Sequence, residues 1–153
     1  MSSVPFHYVD LRAFCYATED EKRVADALGT FLPDEFEVDR VVNTGHHGDR
    51  IVVFSARVER ADDVRHVLSR LSALAEWDRV LAELDERVDD NNSLFLRLDK
   101  QAAFKGDVEL GPGITFRAKV EAYPAKREKA VENARETFEE LAEEASDAGG
   151  EAA

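Results

Sequence analysis

The sequence predicts an α+β domain: a mainly antiparallel sheet with helices packed on one face, in the order β-α-β-β-α-β-β-α. Three observations carry that prediction. Apolar residues alternate with polar ones over several short segments. Between those segments they recur at helical spacing. The strands also come in consecutive runs rather than in regular βαβ crossovers, which leaves one sheet face to solvent or a ligand. A chain of 153 residues with a 44% apolar share is long enough for one core and too apolar to be disordered.

Val9, Leu11, Ala13 and Cys15 alternate with Asp10, Arg12, Phe14 and Tyr16, so residues 7–16 read as a strand with one face in the core. Thr18 and Glu21 stand three apart and fit a capping box, and the neighbouring acids suit the positive end of a helix dipole. The helix they open carries Val24, Leu28 and Phe31, and Pro33 stops it. A second strand spans about 35–43 through Phe36, Val38 and Val42, and a third spans 51–58. Between them Gly45-His46-His47-Gly48-Asp49 forms a hairpin loop. Residues 62–88 keep a helical rhythm from Val64 to Val88, with a break near Trp77-Asp78.

Asp89 to Asn92 is a turn, and Leu94, Leu96 and Leu98 mark a fourth strand that Lys100–Phe104 interrupts. Residues 106–122 continue as one or two strands around Gly111-Pro112-Gly113. A final acidic helix, about 124–145, buries a thin stripe of Ala130, Val131, Ala134, Phe138 and Leu141. No repeat or linker divides the chain. Residues 1–145 therefore read as one domain and 146–153 as a disordered tail.

Signs of chemistry are sparse. Cys15 stands alone in an apolar alternation, which points to a buried thiol. His46, His47 and Asp49 are the most chemical-looking group, but ligand number and spacing both fall short of a metal site. The loop reads either as a plain turn or as a polar contact loop whose imidazoles meet a base or phosphate. Acidic pairs are common in so acidic a chain and carry little information. Gly111-Pro112-Gly113 lacks the context of a phosphate loop, and no nucleophile motif is present. The sequence carries no enzyme signature, and no cofactor or metal is expected. With no signal-peptide pattern at the start and no membrane-length apolar run, a cytoplasmic protein is expected.

Overall charge has the wrong sign for a nucleic-acid binder, with one local exception whose cations either form a binding face or pair with neighbouring acids. The net charge is -13, with six Lys and fourteen Arg against 33 acids. Such a surface suits a high-salt environment, where roughly 1 M salt shortens the Debye length to about 3 Å. Against that background, residues 97–127 hold Arg97, Lys100, Lys105, Arg117, Lys119, Lys126 and Arg127 with four acids. This is the clearest local positive excess, and Phe95, Gln101 and Phe104 lie in or beside it, able to stack on bases or reach their edges.

Three segments carry a resemblance: Ala17-Thr18-Glu19-Asp20-Glu21-Lys22, Gly45-His46-His47-Gly48-Asp49, and residues 96–106, Leu-Arg-Leu-Asp-Lys-Gln-Ala-Ala-Phe-Lys-Gly. In this order and spacing, from about His7 to Val120, the chain resembles the archaeal RNA-binding, predicted exosome-subunit family. The resemblance implies a ribosomal-protein-L5-like fold, binding of structured RNA without catalysis, and a link to the exosome. The expected RNA contacts are Arg97, Lys100, Gln101, Lys105, His46, His47, Arg117 and Lys119. A scaffold subunit that touches protein partners rather than RNA is the alternative.

Overall fold

The computed structural model describes residues 5–45 and 47–152, with side chains described to residue 144. Five strands, β1 (Phe6–Cys15), β2 (Asp39–Thr44), β3 (Arg50–Val58), β4 (Ser93–Asp99) and β5 (Gly113–Val120), form one sheet in the order β2-β3-β1-β5-β4. Every pairing is antiparallel. The first strand is thus the centre of the sheet. The β2–β3 hairpin pairs on one side of it and the β5–β4 pair on the other.

The period-two pattern decides which face is covered. Val9, Leu11, Ala13 and Cys15 of β1 share a buried face with Val52, Phe54, Ala56 and Val58 of β3. Leu94, Leu96 and Leu98 of β4 and Ile114, Phe116, Ala118 and Val120 of β5 complete it. Helices cover this face alone. They are α1 (Glu21–Gly29), α2 (Ala61–Leu71), α3 (Trp77–Ala82), α4 (Leu84–Arg87), the short α5 (Lys100–Phe104) and α6 (Arg127–Ala152). Val24 and Leu28, Val67 and Leu71, and the predicted stripe of Ala130, Val131, Ala134, Phe138 and Leu141 all join the one core. Trp77 packs against Phe138 with ring centroids 5.0 Å apart, which ties α3 to α6.

The structure differs from the sequence reading in several places. Asp20, not Thr18, caps α1: its carboxylate accepts a hydrogen bond from Lys22 N at 2.9 Å. The long amphipathic region is three helices, and its main break falls just before Trp77, whose indole N–H donates to the Ser72 carbonyl. The segment that interrupts the fourth strand is the helix α5. Strand β2 starts at Asp39, because Phe36 and Val38 reach the core from the loop ahead of it. The final helix begins at Arg127 and continues to Ala152, past the end expected near Ala145.

Candidate nucleic-acid interface

The three segments that carry the resemblance meet at one end of the sheet. This end holds the last residues of β1, β2 and β4 and the first of β3 and β5. Glu19, in the loop after β1, pairs with Lys100 of α5 at 2.7 Å. Glu21, two residues later, pairs with Arg40 at 2.7 Å and Arg50 at 3.4 Å, one on each strand of the hairpin. One short acidic loop therefore joins α5 on one side to the β2–β3 hairpin on the other.

Local chemistry sets α5 in place. The Asp99 carboxylate accepts from Ala102 N at 2.8 Å and caps the helix. Lys100 N donates to the Pro112 carbonyl, and Asp99 N to the Glu109 carbonyl. The Gly111-Pro112-Gly113 segment passes so close that a Cβ on Gly113 would lie 2.4 Å from the Cβ of Lys100. Gly113 also has a φ of +119°, which side-chain-bearing residues rarely adopt. Gly113 thus serves the close approach of β5 to α5, and Gly111 leaves room for the Asp99 side chain that caps the helix. The Lys100 ammonium donates to the Phe14 carbonyl and to Glu19, both at 2.7 Å. Burial pushes the Glu19 carboxyl up, but hydrogen bonds from Lys100 and from Tyr16 N more than offset it, leaving Glu19 below the ordinary carboxylate range.

The other sheet face has no helix over it. Strand register places Arg57, Asp10, Arg117 and Phe95 in one row across four strands. The next row holds Asp39, Ser55, Arg12, Thr115 and Arg97. Tyr8 and Lys119 form a third, and Phe14, Val53 and Val41 a fourth. Five cations thus face three carboxylates, those of Asp10, Asp39 and Asp99, on the open side of a chain whose net charge is -13.

Asp10 holds Arg57 at 2.8 Å and Arg117 at 2.7 Å, and both guanidinium groups lie over the Tyr8 ring. Burial raises the Asp10 carboxyl, and the two guanidinium hydrogen bonds outweigh it and hold it low. Among the described residues, Arg12 and Arg97 make no ion pair. Phe95 is 37% exposed.

The expected contact residues fall into separate places. Arg97, Arg117 and Lys119 lie on the open face, with Lys119 donating to the Asn91 carbonyl. Gln101 is exposed on α5, at the rim of that face. Lys105 is exposed beyond the far end of α5, and His47 is exposed in the hairpin turn. His46 lies outside the described residues. Lys100 is not a surface cation: it is 6% exposed, because its ammonium is drawn inward to Glu19 and the Phe14 carbonyl. Sequence reading missed Arg12, Arg57 and Phe14 as contact candidates. The signal for them was present, since they are the outward partners of the alternation that placed β1 and β3 in the core.

A family model described as RNA binding matches residues 8–120. The chain belongs to that family. The matched span holds β2 to β5 whole, β1 from Tyr8 onward and every open-face residue named above, and α6 lies beyond it. RNA-binding protein PAB1135 from Pyrococcus abyssi (strain GE5 / Orsay) is 33% identical over 144 residues, covering 87% of this chain and 94% of its own. Among solved structures, protein AF2318 from Archaeglobus fulgidus has a TM-score of 0.78 at 32% identity, over 86% of this chain and 99% of that one. A DUF54 protein from Methanothermobacter thermautotrophicus has a TM-score of 0.73 at 38% identity, over 87% and 98%. These relatives, rather than ribosomal protein L5, carry the fold assignment.

Proposed function

We propose that this chain binds RNA, without catalysing a reaction on it, through the open face of its sheet. One observation carries the reading: the face that the helices leave free is locally positive in a strongly acidic protein. Membership of an RNA-binding family and the name of the P. abyssi relative support it. Arg12 and Arg97 are free to meet phosphates, and Lys119 and the Asp10-held pair Arg57 and Arg117 extend the positive row. Gln101 borders the face, and Lys105, His46 and His47 are further proposed polar contacts. Lys100 supports the site from beneath by fixing the Phe14 backbone and α5.

Replacing both free arginines, Arg12→Gln with Arg97→Gln, tests this. RNA affinity at about 0.1 M salt is expected to fall at least tenfold. The slope of log K against log salt is expected to shrink by about 1.4–1.8, since each of the two lost phosphate contacts removes roughly 0.7–0.9. Unchanged affinity and slope would remove the open face from the binding site.

Association with the archaeal exosome is a finer form of the same proposal. The resemblance supports it, and so does β2, an edge strand exposed along its length with Val41 and Val42 about half exposed. Recovery of exosome subunits after nuclease treatment, with no binding of purified protein to RNA, would instead favour a scaffold.

A further inference from the structure

Two adjoining depressions cross the open face and share a wall. One, about 170 Å³, is lined by Asp10, Arg12, Phe14, Phe95, Thr115 and Arg117. The other, about 390 Å³, lies toward α5 and includes Tyr16, Arg97 and Gln101 in its lining. Phe14 and Thr115 border both.

We propose that this trough takes an unpaired stretch of RNA, with successive bases seated on either side of Phe14; this rests on the RNA-binding reading above. Each part of the trough suits one part of a single strand. Phe95, partly exposed, and Phe14, at the shared wall, offer apolar surface to the flat face of a base, which a duplex keeps buried in its own stack. Asp10 lies in the lining of the first depression, where a carboxylate disfavours a phosphate but accepts a hydrogen bond from an exocyclic amino group. Bases therefore belong over the trough and phosphates at its cationic rim.

Arg12 and Arg97 supply that rim. Both stand opposite Thr115, one on each neighbouring strand, which sets their backbones about 10 Å apart. Besides Asp10, the Thr115 hydroxyl and the Gln101 amide are placed to meet base edges. A rigid A-form duplex gains only the arginines from this surface. A splayed strand gains the arginines, the rings and the edge contacts together.

The test uses the full chain and two probes of one mixed sequence, a labelled twelve-nucleotide single strand and the same twelve as a blunt duplex, measured by fluorescence anisotropy. The single strand is expected to bind at least tenfold more tightly. Phe95→Ala is expected to weaken the single strand by about tenfold and the duplex by less than twofold, with Phe95→Trp restoring the loss. Phe95 is chosen because its exposure keeps the substitution away from the core, and a melting curve of each variant checks this. Equal binding of the two probes, or equal weakening of both by Phe95→Ala, would overturn the preference for unpaired RNA while leaving RNA binding intact. Binding of neither probe would overturn both proposals.

Discussion

Lys100 shows how one residue can join distant parts of this chain. Its ammonium reaches the Phe14 carbonyl, 86 residues earlier, and the Glu19 carboxylate, 81 residues earlier. A lysine this deeply placed needs its charge matched, and removing one partner of such a pair leaves the other desolvated. Glu19 keeps some solvent access, so we expect Glu19→Gln to cost about 2 kcal/mol at neutral pH, below the roughly 3–5 typical of a fully buried pair. The sign of the pH dependence follows from the lowered Glu19 carboxyl. Its contribution is complete above the unfolded value near pH 4.3 and is lost as pH falls through the lower folded value. Urea melts of wild type and Glu19→Gln should therefore differ by a constant amount from pH 7 to about pH 5.5 and converge as pH drops below about 4. A gap that stays constant to pH 2.5 would exclude the ion pair as its cause. None of this was legible locally. Lys100 sits among polar neighbours in the sequence, and only the long-range fold shows that it turns inward. The same stretch also holds Arg97 and Gln101, which border the open face.

At the scale of elements, period and punctuation read well, and boundaries set by tertiary contact did not. The alternation in β1, β3, β4 and β5 and the thin stripe of α6 are all found in the core. In the 62–88 region the break expected near Trp77-Asp78 is found just before Trp77, but the separate turn of helix at Leu84–Arg87 escaped. The turn around Gly111-Pro112-Gly113 was legible as a turn. Its reason was not, because it lies in the approach of a different element. With φ at +119° and Lys100 Cβ 2.4 Å from the site of a new Cβ, Gly113→Ala meets both backbone strain and a clash. The first costs about 1 kcal/mol and the second about 1–3. A loss of roughly 2–4 kcal/mol in equilibrium unfolding is expected. Gly48→Ala, at a φ of +82° with open space around it, should lose only about 1. Equal losses at the two glycines would refute the close approach of β5 to α5.

The whole molecule sets two electrostatic demands against each other. A net charge of -13 makes the folded chain repel itself at low ionic strength, and screening relieves that repulsion. The same screening would weaken the proposed arginine contacts to a phosphate backbone. Composition made the first demand legible. The second needed strand register, because only pairing across β3, β1, β5 and β4 collects Arg57, Arg12, Arg117 and Arg97 on one face. Raising KCl from 0.1 M to 2 M is therefore expected to raise the melting temperature by about 4–8 °C, the shift that roughly 2 kcal/mol produces in a domain of this size. A flat or falling melting temperature would refute a surface suited to high salt. Over the same range the ionic part of RNA affinity should fade, while stacking on Phe95 and Phe14, which releases no counterions, should persist. The arginine substitutions should then matter most at 0.1 M salt, and Phe95→Ala should matter about equally at both ends. A phenylalanine effect that vanishes along with the arginine effect would show that the aromatic surface carries no share of the binding.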